Sequence, residues 1–211
     1  MPFVRIDRAG LPFVGGGIAL AFAAGAALGW AGALPFAILA AFLLFFFRDP
    51  ERRAPPSNDA IVAPADGRVL VAGPAAADAA PAGVWTQVSI FLSPLDVHVN
   101  RIPASGRVTR VAYTRGRFLP AYHPRAAAAN ERSEIWIDHD GQTIVARQVV
   151  GVLARRVVCR VQSGALVQAG DRYGIMKFGS RMDVFLPAAA ELRVKVGDWV
   201  RGGETIIAVL H

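Results

Sequence analysis

The feature that most constrains this chain is a run of 39 residues without a charged side chain, from Ala9 to Phe47. A secretory signal has an apolar stretch of only about 7–15 residues, so this run is too long to be one. As one straight helix it would extend about 58 Å, nearly twice the roughly 30 Å hydrocarbon core of a bilayer. Breakers stand near its middle, at residues 29–32 (Gly-Trp-Ala-Gly) and at Pro35. The pattern predicts a hairpin of two apolar helices, residues 13–30 and 33–47.

Basic residues flank the apolar run on both sides, with Arg5 and Arg8 before it and Arg48, Arg52 and Arg53 after it. Because cytoplasmic flanks of membrane segments are enriched in Lys and Arg, both ends are predicted to lie on the cytoplasmic side of the cell membrane. A hairpin satisfies both flanks, while one tilted span or a segment lying in the interface stays open. The net charge of +7 suits an anionic membrane surface, and the sequence contains no nucleic-acid-binding motif.

The chain after Arg48 has the mixed polarity of a globular domain, which predicts a membrane-associated segment at 1–50 and a domain at 51–211. Short alternating runs separated by Gly, Pro and Asp predict that this domain is mainly β. Residues 167–171 and 194–198 share the pattern Val-x-x-Gly-Asp, which is typical of turns in lipoyl- and biotinyl-like β-sandwiches, so such a sandwich is expected. The alternating runs are 61–62, 68–71, 86–92, 107–114, 134–138 and 143–150.

A Gly-Ser pair near the C-terminus is typical of an ordinary turn when it is considered alone. It becomes informative because its own block of sequence occurs together with four other blocks. The blocks are Pro64-Ala65-Asp66-Gly67, Phe91-Leu92-Ser93-Pro94-Leu95-Asp96-Val97-His98, Asn130-Glu131-Arg132, Gly151-Val152-Leu153-Ala154-Arg155-Arg156 and Lys177-Phe178-Gly179-Ser180-Arg181-Met182-Asp183-Val184-Phe185-Leu186-Pro187. In this order, over about residues 46–186, the sequence resembles the phosphatidylserine decarboxylase proenzymes, particularly their short bacterial form.

The resemblance implies that the chain cleaves itself between Gly179 and Ser180, giving a β chain of residues 1–179 and an α chain of residues 180–211 that stay together as a heterodimer. Ser180 would become a covalent pyruvoyl group, the only cofactor implied. Its ketone would form a Schiff base with the serine amine of phosphatidylserine and accept electrons as CO2 leaves, giving phosphatidylethanolamine. Association beyond the heterodimer stays open, as does a related serine-headgroup lipid as substrate.

The same resemblance implies roles for a histidine and a carboxylate. A serine hydroxyl is a weak nucleophile that needs a base, itself oriented by a third group. His98 is the implied base and Asp66 the implied orienting carboxylate. Longer members of the family carry a second histidine where this chain has Arg101, so the histidine roles fall on His98 alone or are shared with His123. Arg155 and Arg156, among 21 arginines, are candidates for holding the lipid phosphate.

Two other interpretations are weaker. Lys177 in Met176-Lys177-Phe178 resembles the modified lysine of biotinyl domains, which would make the chain a non-enzymatic carrier or adaptor. Asp138-His139-Asp140-Gly141 has metal-ligand residue types, but it lies between two alternating runs and is predicted to be a hairpin turn. No metal site is therefore expected.

Overall fold

The computed structural model describes residues 5–152, 157–177 and 179–210. Two compact units divide the chain, one ending at Glu51 and the other beginning at Arg52. In the first unit, β1 pairs antiparallel with β2, and the long helix α1 connects them. The elements of this unit are β1 (Arg5–Ile6), a 3-10 turn (Arg8–Gly10), α1 (Leu11–Phe46) and β2 (Arg48–Asp49).

The predicted helical hairpin is present, and its bend lies at Gly29. This residue has φ +70° and ψ −169°, a conformation outside the helical region that glycine tolerates best. Helical arms of about 27 and 26 Å lie on either side of it, and Pro35 stays within the second arm. The pairing of β1 with β2 brings the two ends of α1 together, which one straight helix would not allow.

Small residues let the two arms approach each other closely. A Cβ built on Gly17 would lie 3.3 Å from the Cβ of Ala40, and one on Gly25 would lie 3.2 Å from the Cβ of Ala33. Such small-residue contacts are typical of helix pairs in membranes. The segment Arg8–Phe46 has a mean hydropathy of 2.1 over its most apolar window and is long and apolar enough to cross a membrane. Most of its large side chains are exposed.

The second unit is built almost entirely from strands, which confirms the mainly β prediction. Its one described helix, α2 (Ala126–Ala129), has a single turn. The strands are β3 (Ala60–Val62), β4 (Gly67–Pro74), β5 (Trp85–Leu92), β6 (Val99–Arg101), β7 (Gly106–Thr114), β8 (Arg132–His139), β9 (Gln142–Val149), β10 (Val157–Cys159), β11 (Leu166–Val167), β12 (Arg172–Met176), β13 (Ser180–Pro187), β14 (Glu191–Leu192), β15 (Trp199–Val200) and β16 (Ile206–Val209).

Eight of these strands form one antiparallel main sheet in the order β11-β7-β8-β9-β13-β5-β4-β15. Two three-stranded sheets, β10-β12-β6 and β14-β16-β3, supply further core side chains. Alternate residues of the main sheet, such as Ile90, Ile135 and Val184, enter this core together with Ile61 and Tyr173 from the small sheets. The entry of alternate residues into the apolar core explains why an alternating pattern was visible in the six strands predicted from the sequence.

The register of the main sheet aligns the ends of several strands, so that these strand ends lie together at one end of the sheet. Ser180, the first residue of β13, pairs with Leu92 at the end of β5. The next residue of β13 pairs with Val149, the end of β9, and Val149 also pairs with Arg132 at the start of β8. Thr114, the last residue of β7, pairs with the same Arg132. We call this row of strand ends the site edge, because the loops that leave it carry residues that were singled out in the sequence.

All six predicted strands are confirmed, and so is the hairpin turn after Asp138. Its two central residues, Asp140 and Gly141, have φ of +50° and +82°, as tight hairpin turns require. The two Val-x-x-Gly-Asp segments form the same turn: an aspartate carboxylate accepts from the backbone N–H three residues earlier, at 3.0 Å in both cases. This local likeness does not establish a lipoyl- or biotinyl-like sandwich, because the main layer is a single curled sheet of eight strands.

Candidate active site

Ser180 is fully buried at the start of β13, in the middle of the main sheet. Its side chain lies on the same face of the strand as Met182 and Val184, which belong to the hydrophobic core. The Oγ atom has no hydrogen-bond partner among the described residues. A buried hydroxyl without a partner is unusual in a folded protein, because losing its water without compensation costs free energy. Such an exception is expected where a hydroxyl reacts.

His98 is also fully buried, in the loop that joins β5 to β6. Its Nδ1 lies 2.9 Å from the backbone oxygen of Asp96, which can only accept, so Nδ1 carries a hydrogen. In the neutral ring the lone pair is then on Nε2. Nε2 lies 3.4 Å from the backbone nitrogen of Gly179 and accepts its hydrogen bond. The basic nitrogen of His98 therefore lies next to the residue that precedes Ser180.

Two glycines shape the backbone around the Gly179–Ser180 peptide bond. Gly179 has φ of +70°, the left-handed region in which glycine is least strained, although a Cβ there would meet no atom within 4 Å. Gly151 has the opposite requirement, because its Cβ would lie 2.1 Å from the carbonyl oxygen of Gly179. Gly179 therefore allows the left-handed backbone conformation, and Gly151 leaves space for the carbonyl oxygen of Gly179.

Asn130 fixes the loops beside this peptide. Its Nδ2 donates to the carbonyl oxygens of Leu119 and Val150, each at 2.8 Å, and its Oδ1 accepts from the N–H of Leu119 at 3.0 Å. The side chain is completely buried. It therefore ties the loop after β7 to the chain just after β9, which continues into Gly151.

A small apolar cavity of about 230 Å³ adjoins the Gly179–Ser180 bond. The ring of Tyr122 packs edge-on against Phe91, with 5.9 Å between ring centroids. The cavity lies at the site edge, where loops after β5, β7 and β9 converge. Its lining residues are Phe91, Pro94, Pro120, Ala121, Tyr122, Val152 and Gly179.

Asp66 lies directly before β4, and its oxygens are held by groups other than the His98 ring. Oδ2 accepts from Arg52 at 2.8 Å, and Oδ1 accepts from the N–H of Gly202 at 2.7 Å. Arg52 also pairs with Glu204 at 2.9 Å. Burial raises the pKa of Asp66, while Gly202 and Arg52 oppose that rise. The described hydrogen bonds orient His98 through the Asp96 backbone, so the role of Asp66 as its orienting carboxylate stays a prediction.

The sequence model of the phosphatidylserine decarboxylase family matches residues 39–208 of this chain. The chain belongs to the phosphatidylserine decarboxylase family. Three relatives are each named phosphatidylserine decarboxylase proenzyme. The one from Nitrosomonas europaea is 39% identical over the whole of this chain and 97% of its own length. The one from Geotalea daltonii is 42% identical over 98% of this chain and 97% of its own. The one from Gluconobacter oxydans is 48% identical over 81% of this chain and 77% of its own.

Membership of this family decides against the interpretation of the chain as a carrier or adaptor.

The other candidate site residues lie in different parts of the second unit. His123 follows the cavity-lining loop, and its Nδ1 accepts from the N–H of Arg125 at 3.2 Å. Arg101 is buried and donates to the carbonyl oxygen of Gly170 at 2.9 Å. Arg155 and Arg156, the phosphate candidates, lie outside the described residues. The described part of the chain contains no metal-binding cluster of His, Cys, Asp and Glu, and the division of roles between His98 and His123 stays a prediction.

Two polar residues near Ser180 were not singled out from the sequence. Gln148 of β9 pairs with Met182, two residues from Ser180 on the same face of β13, and its Nε2 donates to Asn100 Oδ1 at 2.8 Å. The other amide atoms, Gln148 Oε1 and Asn100 Nδ2, are buried without a partner among the described residues. The signal that could have revealed Gln148 is its position two residues after Ala146, on the core face of a predicted strand.

Proposed function

We propose that this chain is a proenzyme that cleaves itself between Gly179 and Ser180, and that the resulting pyruvoyl enzyme converts phosphatidylserine to phosphatidylethanolamine and CO2. The proposal rests on the buried Ser180 Oγ, which has no hydrogen-bond partner among the described residues and follows a left-handed Gly179 whose N–H contacts the basic nitrogen of His98. A buried hydroxyl, the peptide bond that precedes it and an imidazole nitrogen in contact with Gly179 support a nucleophile, a bond to be broken and a base.

Cleavage begins when Ser180 Oγ attacks the carbonyl carbon of Gly179 and the C–N bond breaks, which converts the peptide to an ester and frees the amine of Ser180. A base then removes the Cα proton of Ser180, and the Cβ–Oγ bond breaks, releasing Gly179 as a carboxylate. Water hydrolyses the remaining dehydrated residue, ammonia leaves, and a pyruvoyl group stays at the N-terminus of the 180–211 chain. The Ser180 hydroxyl oxygen thus leaves with the 1–179 chain.

His98 is the group best placed to move protons in these steps. Its lone pair is on Nε2 because Nδ1 donates to Asp96, so it can accept the hydroxyl proton of Ser180 without a change of tautomer. The ring is fully buried, and the same lone pair accepts the N–H of Gly179 before reaction. The hydrogen bond from Gly179 keeps the ring at the cleavage point before reaction. We assign the proton transfers of decarboxylation to the same ring.

The residues present suit a pyruvoyl group at position 180. That group supplies a ketone that bonds to the substrate amine and accepts the electrons released with CO2. The cavity beside it is apolar, which favours loss of a carboxylate charge.

The sheet topology supports a heterodimer of the two cleavage products. Strand β13 belongs to the 180–211 chain, and it pairs on both sides with strands of the 1–179 chain, β5 and β9. Strands β15 and β16 likewise pair with β4 and β3. Breaking one peptide bond before β13 removes none of these ladders, so the two chains are expected to stay associated. The apolar hairpin of α1 anchors the enzyme to the membrane, with the catalytic unit on the cytoplasmic face.

The test is decarboxylation of phosphatidylserine labelled in its carboxyl carbon. Purified wild-type protein is expected to release labelled CO2 and to lose activity after treatment with cyanoborohydride and substrate, which reduces a bond between a protein ketone and the lipid amine. Protein with Ser180→Ala is the matched control. Release of CO2 by this variant would overturn the proposal, while activity only on another serine lipid would change the substrate and keep the mechanism.

A further inference from the structure

Four large side chains are exposed around the mouth of the cavity beside Gly179. Two of them line the cavity itself, one follows the lining residue Pro94, and one lies two residues before the lining residue Pro120. They come from three different loops at the site edge. An exposed apolar group of this kind next to a cavity marks a place of interaction. The four are Leu95, Phe118, Tyr122 and Val152, with exposed fractions of 65%, 40%, 64% and 53%.

Basic side chains surround the same mouth. Arg115, Arg117 and Arg125 are all exposed in the loop that carries Phe118 and Tyr122. The segment from residue 113 to residue 130 contains no Asp or Glu. Apolar side chains mixed with exposed arginines are the composition that binds an anionic lipid surface, because the first enter the acyl boundary and the second meet the phosphates. We call these seven residues, the four apolar ones and the three arginines, the rim.

The size of the cavity indicates what must lie on the rim. A pocket that holds a drug-sized ligand has about 300–1,000 Å³. The cavity here has about 230 Å³, which is room for a head group but not for two acyl chains. The chains of a bound lipid must therefore remain outside, in contact with the side chains at the mouth. Water is a poor medium for those chains, and a bilayer is the medium they already occupy.

We propose that the rim is a docking surface for an anionic bilayer, which lets a lipid place its head group beside Ser180 while its acyl chains stay in the membrane. The inference rests on the proposed function, since it takes the substrate to be a lipid. It assigns membrane contact to the catalytic unit itself, as a second contact in addition to the apolar hairpin of α1. The opposite edge of the main sheet supplies matched control positions.

Two such controls lie on the strands that lead to the rim. Val84 is 83% exposed and precedes β5, at the end opposite Leu95, about 27 Å from the site edge. Arg107 is exposed near the start of β7, whereas Arg115 directly follows the end of that strand. Neither control position lines the cavity.

The first test compares one lipid head group in two physical states. The double variant Leu95→Asp, Phe118→Asp is expected to lose at least about tenfold in kcat/KM on phosphatidylserine in vesicles, because each buried apolar side chain contributes about that factor or more. On monomeric dihexanoyl phosphatidylserine it should stay within about twofold of wild type. Val84→Asp should leave both unchanged. Equal losses on both substrates would overturn the docking role.

Charge reversal tests the arginines. Wild type should turn over phosphatidylserine faster in vesicles diluted with phosphatidylglycerol than in vesicles diluted with phosphatidylcholine. Each arginine near an anionic surface contributes about fivefold in binding, so Arg115→Glu with Arg125→Glu should remove that preference. Arg107→Glu should retain it. A double variant that keeps the preference would contradict the inference.

The last test does not depend on catalysis, so its failure is distinct from failure of the proposed function. Cys159 is the only cysteine, and in a Cys159→Ser background an environment-sensitive dye can be placed at Phe118→Cys or at Val84→Cys. With full-length protein on phosphatidylglycerol vesicles, the dye at 118 should shift to the blue and become protected from an aqueous quencher, while the dye at 84 should not. No shift at 118, or equal shifts at both positions, would overturn the docking surface whether or not the protein decarboxylates lipid.

Discussion

Substituting Gly151 by alanine should stop self-cleavage by displacing the carbonyl group of Gly179. The added Cβ would lie 2.1 Å from that oxygen, whereas close carbon–oxygen contacts begin at about 3.3 Å. One of the two strand ends must therefore move by about 1 Å. A misplacement of that size can cost about 100-fold in rate, and overpacking costs about 1–3 kcal/mol of stability. We expect cleavage to slow by about 100-fold and the Tm to fall by several degrees.

The chain offers a control with the same steric clash in another place. A Cβ on Gly106 would lie 2.2 Å from the carbonyl oxygen of Asp138, at the edge of the sheet opposite Ser180. Gly106→Ala should lower the Tm at least as much, because Gly106 also has a φ of +154°, and this variant should still cleave. The assay is a time course of the 1–179 and 180–211 fragments by mass spectrometry after expression, with thermal unfolding in parallel. Wild-type cleavage in Gly151→Ala, or equal loss of cleavage in Gly106→Ala, would refute the reasoning.

Three further substitutions test other contacts. His98→Asn should slow cleavage by about 10²- to 10⁴-fold in protein whose near-UV circular dichroism is native, and a native rate would exclude His98 as the base. Asn130→Ala should cost about 3 kcal/mol in denaturant unfolding, because a buried side chain loses three hydrogen bonds, whereas exposed Asn58→Ala should cost almost nothing. Arg52→Ala should cost about 3 kcal/mol at neutral pH by leaving Asp66 without its ion-pair partner, whereas Glu204 keeps Arg201 at 3.2 Å. Burial raises the pKa of Asp66 and Arg52 opposes that rise, so in the Arg52→Ala variant the folded state should bind a proton more tightly than the unfolded state. The free energy of unfolding of the variant should therefore fall as pH rises from about 4 towards neutrality. A loss of stability that does not depend on pH would contradict this expectation.

The sequence was sufficient to predict the strands that have one face towards the core and the other towards polar surroundings. Runs such as 86–92 and 107–114 alternate because one face enters the core. The hairpin of α1 was predictable as well, since an uncharged run that is too long for one span has to bend where its helix is weakest. In both cases the pattern reflects a local physical requirement that can be seen without knowing which elements become neighbours.

Strand β13 did not stand out, because its charged residues hide its central position in the sheet. Arg181 and Asp183 are buried, bonded to each other at 2.6 Å, and both contact Ser89 of β5. Their charges neutralise each other, and the Ser89 hydroxyl that bridges them lies 92 and 94 positions away in the chain, which no local pattern reveals.

In the candidate site, too, some residues could be identified from the sequence, whereas the roles of others depend on contacts in the fold. Ser180, Gly179 and His98 were identified through resemblance to a family, and the fold brings them together although 81 positions separate His98 from Gly179. The space that Gly151 provides and the ties that Asn130 makes depend on contacts across strands, so sequence blocks could mark these residues without explaining them. The bond between Asp66 and Arg52 was not anticipated, because the carboxylate was assigned to His98 by analogy alone.

The most direct test of the central claim is the intact mass of the purified protein beside its Ser180→Ala variant. We expect two polypeptides, residues 1–179 and 180–211, the smaller one carrying a ketone in place of its N-terminal amine and resisting Edman sequencing. We also expect that the variant remains one chain. A wild-type protein that stays a single uncleaved chain, or a variant that is still cut after Gly179, would contradict the claim.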